Sequence, residues 1–182
     1  MSLVIRDAEP ADGLAMGEIH VAAWRSAYAG IMDPEFLARR DPVAVGERWT
    51  ASLRGDGATG GEPAPWARLV AALDGRVVAM AAIGPARDEE SDIPRAQLWM
   101  LNSHPDAFGT GAATALHAEV IARLRERGET RAYLWVARDN LRARRFYERE
   151  GWAGDGGAHV EELGGVPVAE VRYVRDLCAR TR

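Results

Sequence analysis

The sequence predicts an α/β (α+β) sandwich built on one mixed sheet, and three observations carry that prediction. "ARLVAALDGRVVAMAAIG" (67–84) is two apolar runs split by Asp74-Gly75, a dipeptide that favours a tight hairpin turn. The chain closes on a second such pair, two strand-like runs around Leu163-Gly164-Gly165. Between them, "AQLWMLNS" (96–103), the stripe Ala112, Ala115, Leu116, Val120 and Leu124, and "RAYLWVAR" (131–138) read as strand, helix and strand. Antiparallel pairs at both ends and crossovers between them require a mixed sheet with helices packed on it.

The elements follow in order. "LVIRDA" (3–8) is a short strand. Over 9–30, Leu14, Met16, Ile19, Ala22 or Ala23 and Ala27 fall near 3.6-residue spacing, so a helix is expected there, with Gly30 at its end. Asp33 as N-cap and Pro34 at the first helical position start a short second helix. A further helical stretch runs from about Pro42 to Leu53. The glycine- and proline-rich segment 54–66 is a loop, and 85–95 is a polar, acidic one. The continuous apolar character of 96–103 predicts a central strand. "DNLRARRFYEREG" (139–151) is a helix, with Asp139 as expected N-cap and Gly151 as C′ residue. The order is β-α-α-β-β-β-α-β-α-β-β, without internal repeats, and 182 residues suit one domain over 1–182.

Composition excludes several classes of function. Lys plus Arg number 23 against 27 Asp plus Glu, a net charge of −4, so no nucleic-acid partner is expected. No run reaches the roughly 18 apolar residues of a membrane span, and the start lacks a signal-peptide pattern. A chain without membrane contact, located in the cytoplasm, is the expectation. The single cysteine, Cys178, builds neither a disulfide framework nor a cysteine-rich metal site, and a buried or half-buried thiol is expected. Four scattered histidines lack ligand spacing, so no metal is expected.

The chemistry-bearing stretch is "LNSHPDAFGTGAATALHAEV" (101–120), where an apolar run ends, a proline turn follows, and Gly109-Thr110-Gly111 leads into a helix. Such a turn leaves backbone N–H groups uncovered at a positive helix end and can hold a phosphate. Thr110 and Thr114 offer hydroxyl donors. A P-loop needs a lysine after its last glycine, but Ala112-Ala113-Thr114 follows here. A dinucleotide fingerprint belongs at the first strand of a parallel unit, and this stretch comes after an antiparallel hairpin. Taken alone, the turn leaves nucleotide, coenzyme and a plain tight turn open.

Residues 101–116 resemble the coenzyme A pyrophosphate signature of the GCN5-related N-acetyltransferases (GNAT), a strand, a proline turn and Gln/Arg-x-x-Gly-x-Gly/Ala at a helix start. Here Phe108 stands at the Gln/Arg position, Gly109, Gly111 and Ala112 follow, and Ala113 is the final small residue. Thr110 replaces the usual basic residue. "LWVARDNLRARRFYEREGW" (134–152) resembles the family's later motif, matching at Val136, Asn140, Ala143, Phe146, Tyr147, Gly151 and Trp152. "HVAAWRSAYAGIMDPEFL" (20–37) is similar to the helix pair of many members.

The resemblance implies a mostly antiparallel sheet of about seven strands flanked by about four helices, with splayed fourth and fifth strands holding acetyl-CoA between them. It implies a cofactor site of Leu101, Asn102, Ser103, Phe108 to Thr114, Asn140 and Ala143, with Tyr147 as general acid. It implies acetyl transfer through a ternary complex to a primary amine, of a small molecule or a peptide. A non-catalytic acyl-CoA sensor or scaffold is the alternative, and a homodimer is a fair expectation. Trp24, Tyr28, Trp99 and Trp135 are candidate walls of the acceptor pocket, with core packing as the alternative. Of the arginines on 139–150, one is a candidate for the cofactor's 3′-phosphate. Many relatives place a glutamate on the fourth strand where this chain has Gln97, and an amide takes no proton at neutral pH. Glu89, Glu90, Asp92 or His20 could receive it, or the amine arrives neutral.

Overall fold

In the computed structural model, residues 2–56, 63–88, 93–163 and 165–178 are described. Seven strands run over Leu3–Asp7 (β1), Ala67–Leu73 (β2), Arg76–Pro85 (β3), Ala96–Ser103 (β4), Arg131–Ala137 (β5), Ala153–Leu163 (β6) and Val166–Asp176 (β7). They form one sheet in the order β1-β2-β3-β4-β5-β7-β6. Every pairing is antiparallel except β4 with β5, so the mixed, mostly antiparallel sheet expected from the sequence is present. β4 takes the central place its apolar run predicted.

Five α-helices accompany the sheet: Gly13–Ala27 (α1), Pro34–Ala38 (α2), Pro42–Arg54 (α3), Ala112–Glu126 (α4) and Leu141–Arg149 (α5). α2 and α3, both read from the sequence, start independently. Asp33 accepts from the N–H groups of Glu35 and Phe36, Asp41 accepts from that of Val43, and each aspartate precedes a proline. The β2–β3 turn is built as its dipeptide requires, with Asp74 at φ 48° and Gly75 at φ 83°. Two expectations are corrected. Asn140, not Asp139, caps α5, because its side chain reaches the Ala143 N–H at 3.1 Å. Cys178 is exposed, since it follows the end of β7.

The helices divide between the two faces of the sheet. Met16 and Ile19 of α1 pack with Val70 of β2 and Met80 of β3. On the opposite face Leu116, Val120 and Leu124 of α4 meet Leu69, Ile83, Leu98 and Leu134, and the same core takes in Tyr147 of α5 with Trp152. His117 of α4 is sealed in this second layer, where its Nε2 accepts from the Trp152 indole N–H at 2.8 Å. Burial pushes His117 down to about 4, and burial with Arg40 and Arg48 nearby does the same to His20.

These two depressed values set a pH dependence. An unfolded histidine titrates near 6.5, so between about pH 6.5 and 4 the unfolded chain binds more protons than the folded one. Stability should therefore be full above that window and fall as pH drops through it, by up to about 1.4 kcal/mol per pH unit for each histidine. Denaturant titrations at pH 5 and 7 measure the slope. His117→Gln should remove its share, and an unchanged slope in that variant would contradict the assignment.

Candidate active site

The site begins where the sheet comes apart. β4 and β5 are paired only at Ala96 with Ala132 and Gln97 with Tyr133. Beyond those positions β4 continues to Ser103 paired with β3 alone. Its opposite edge from Leu98 onward is unpaired and offers backbone N–H and C=O groups to a ligand in the gap. The register between β3 and β4 slips at Trp99, since Ala82 pairs with Met100 but Ile83 with Leu98. This bulge breaks the alternation, so Leu98 faces the α4 layer and Met100 the α1 layer with Trp99 between them. Leu101, Asn102 and Ser103 form the half-buried end of the free edge.

One wall of the gap is the turn before α4. Gly109 and Gly111 adopt φ of 80° and 85°, and a Cβ at either would meet open space. The backbone, rather than crowding, therefore selects glycine here. Gly111 is the N-cap of α4, with no side-chain cap. Among the described residues, the N–H groups of Gly109, Gly111, Ala113 and Thr114 have no hydrogen-bond partner. They sit at the positive end of a 15-residue helix, a receptive place for phosphate oxygens. The threonine hydroxyls are less available than the sequence suggests. Thr110 Oγ1 donates to the Ala107 carbonyl at 2.7 Å and accepts from the Ala112 N–H, while Thr114 Oγ1 donates to Glu150 at 3.4 Å.

The other wall is the β5–α5 junction. Asn140 uses its carbonyl oxygen to cap α5, which leaves the amide N–H2 as a donor beside the groove it lines. Ala143, one turn on, is half-buried and packs on the core around Tyr147. Tyr147 is 7% exposed, and burial raises its phenol well above the ordinary value, with Tyr28 raising it further. No side-chain hydrogen bond holds that hydroxyl among the described residues. Tyr147 thus presents a phenol that keeps its proton at neutral pH.

A groove of about 800 Å³ opens beside Asn140, between the α1–α2 turn (Ala29, Gly30, Ile31), the end of β5 (Ala137) and the start of β7 (Val168).

Residues 21–152 match the sequence profile of the acetyltransferase (GNAT) family. The chain belongs to the GNAT acetyltransferase family. An uncharacterized N-acetyltransferase of Mycobacterium tuberculosis strain H37Rv is 38% identical over 99 residues, 51% of this chain and 60% of that protein. The chain thus spans less than two thirds of that relative's length. A probable N-acetyltransferase of the same strain is 29% identical over 174 residues, 93% of this chain and 91% of its own. Among solved structures, the PaiA N-acetyltransferase of Thermoplasma acidophilum in complex with coenzyme A shares the fold, with a TM-score of 0.67 at 20% identity over 97% of this chain and 99% of that one.

Within this GNAT chain the four aromatic wall candidates do not gather in one pocket, and none lines the large groove. The rings of Trp24 and Tyr28 meet at 4.9 Å with a tilt of 56°, Arg40 lies over Trp24, and both pack beside Ala137 and Val168. Trp99 lies over Gly84, donates to the Pro85 carbonyl at 3.0 Å and is covered by Arg87. Trp135 meets His159 in a tilted ring contact at 3.9 Å and donates its indole N–H to Asp88 at 3.0 Å. Gln97 is buried, and its carbonyl oxygen accepts from the Arg87 backbone N–H at 3.2 Å and lies 3.0 Å from the Tyr133 hydroxyl. That hydroxyl donates to Asp88 at 2.7 Å.

The structure adds a pair that sequence reasoning missed. His159 of β6 and Glu170 of β7 face each other in register with their side chains 3.2 Å apart. Burial raises the Glu170 carboxyl, and His159 offsets this in part. Glu170 in turn helps raise Tyr28, which burial first pushes up to about 12. The sequence signal is a carboxylate between the apolar residues Ala169 and Val171, and its partner is fixed by a β6–β7 register that spacing does not disclose. His20, a candidate proton acceptor, is neutral and weakly basic at pH 7 with its pKa near 4. Glu89, Glu90 and Asp92 lie outside the described residues. Among the described residues, no group of three His, Cys, Asp or Glu could hold a metal ion, and no helix is long and apolar enough to cross a membrane.

Proposed function

We propose that the chain is an acetyl-CoA-dependent N-acetyltransferase that moves the acetyl group to a primary amine, of a small molecule or a peptide, by direct transfer in a ternary complex. The observation that carries this reading is the juxtaposition in one gap of a free β4 edge, an uncapped helix with four unpaired N–H groups, and a buried, protonated tyrosine. The open space over Gly109 and Gly111 fits a diphosphate. Acetyl-CoA supplies a thioester whose carbonyl carbon takes the amine nitrogen and whose sulfur leaves.

The chain's own groups divide the work. Gly109, Gly111, Ala113 and Thr114 hold the diphosphate through their N–H groups, and Leu101 to Ser103 with Asn140 align the pantetheine arm. Tyr147 gives its proton to the departing sulfur, a role that suits a phenol kept protonated by burial. An alkyl amine with a pKa near 10.4 must shed a proton before attack. With an amide at 97, the proton acceptors this reading assigns among the described residues are the Asp88 carboxylate and the His159–Glu170 pair. An acidic, aromatic surround favours a cationic amine in the cytoplasm as acceptor, with no nucleic acid or membrane involved.

The test has two stages. Acetyl-CoA, but neither ATP nor NAD, should raise the melting temperature. Thiol release with a panel of small amines and peptides should then show turnover. Stabilisation without turnover on any amine would leave the sensor or scaffold, and no stabilisation at all would remove the cofactor site.

A further inference from the structure

Phe108 takes a place where the family signature carries a polar or basic residue, yet the structure brings a cation to that spot from elsewhere. The guanidinium of Arg142, on the first turn of α5, lies over the Phe108 ring with 2.9 Å between Cζ and the ring centroid. The contact spans the gap, from the α5 wall to the turn that leads into α4. Its neighbours are committed elsewhere. Arg144 donates to the Tyr173 hydroxyl and the Arg138 carbonyl, and Arg149 sits over Phe146.

Two further facts point to an anion. Arg142 takes part in no ion pair among the described residues, so its charge is held in place but not neutralised. It also stands in the first turn of a helix that carries no acidic residue there, where the helix dipole disfavours a cation. A position that costs the helix stability and is fixed by an aromatic platform suits a ligand-binding group.

We propose that Arg142, seated on Phe108, is a clamp for the diphosphate of the acyl-CoA, facing the N–H groups of 109–114 from the opposite wall. This rests on the cofactor reading given above. A guanidinium presents paired donors that match phosphate oxygens, so the clamp supplies the polar group that a phenylalanine at 108 cannot.

Calorimetric titration of the full chain tests it with three ligands: acetyl-CoA, 3′-dephospho-acetyl-CoA and S-acetylpantetheine. Arg142→Ala should weaken the first two by about ten- to a hundredfold, the range of a charge-assisted hydrogen bond. It should leave S-acetylpantetheine within about twofold, because the phosphates are absent. Arg142→Lys should fall between the two, and placing the cation directly in the double variant Phe108→Arg/Arg142→Ala should recover part of the loss. The melting temperature of unliganded Arg142→Ala should not fall, whereas a merely structural arginine would lower it. An equal loss for all three ligands, or a loss that vanishes with the 3′-dephospho ligand, overturns the clamp. A wild type that binds acetyl-CoA beside an Arg142→Ala variant that binds it equally well sinks the clamp alone. A wild type without affinity for acetyl-CoA sinks the cofactor reading, and the clamp with it.

Discussion

Tyr147→Phe should lower turnover by about two orders of magnitude or more while leaving the affinity for acetyl-CoA within about twofold, the pattern of a missing proton donor. The phenol is buried beside Ala143, Phe146 and Trp152, and a phenylalanine ring fills the same space. Its hydroxyl makes no side-chain hydrogen bond among the described residues, so removal leaves no partner stranded and the variant should fold normally. Only the proton is removed. A donor kept protonated by burial also predicts the alkaline limb. Rates should rise with pH as the acceptor amine deprotonates, and ionisation of Tyr147 should not cut them below its ordinary value near 10. Steady-state rates from pH 6 to 10, with thiol release as readout, check both statements. A Phe variant that turns over at the wild-type rate would take Tyr147 out of the reaction.

Some parts of this arrangement were legible in the sequence because local chemistry fixes them. Asp74-Gly75 needs two positive φ values and has them. Asp33 before Pro34 starts a helix whose first N–H groups that aspartate accepts. Gly109 and Gly111 mark an uncapped helix start, and the spacing of Asn140, Ala143 and Tyr147 brings three residues to one wall of the gap. Other parts depend on which strands and helices meet. The His159–Glu170 pair exists through the β6–β7 register, and Arg142 reaches Phe108 because β4 and β5 diverge. The contest between Asp139 and Asn140 for the cap turns on one residue of backbone conformation, which composition does not rank. The four aromatic candidates had suitable chemistry, but each was drawn to a different neighbour, as Trp99 was to Gly84 and Trp135 to Asp88.

The approach of α1 to α3 is the least legible feature, and it carries the largest expected effect on stability. The two helices meet through glycines. A Cβ on Gly17 would lie 2.6 Å from the Gly46 Cα and closer still to the Gly46 nitrogen and the Pro42 carbonyl oxygen. All three are backbone atoms, so no rotamer change relieves the overlap and the helices must separate. Overpacking of this kind costs about 1–3 kcal/mol, and a backbone clash belongs at or above the top of that range. For a chain of this size, that lowers the melting temperature by about 6–12 °C. Gly17→Ala should show this loss in a thermal melt. Gly30→Ala is the control, because Gly30 at φ 81° has nothing within 4 Å of its would-be Cβ and suffers backbone strain alone, about 1 kcal/mol. The site should be affected unevenly. α1 leads into the turn (Ala29, Gly30, Ile31) that borders the groove beside Asn140, the proposed acceptor side, whereas the N–H cradle belongs to α4 on the opposite face of the sheet. Gly17→Ala should therefore raise KM for the amine more than it weakens acetyl-CoA. A variant that melts with the wild type would show that α1 and α3 can part at little cost, and that the glycines do not set their spacing.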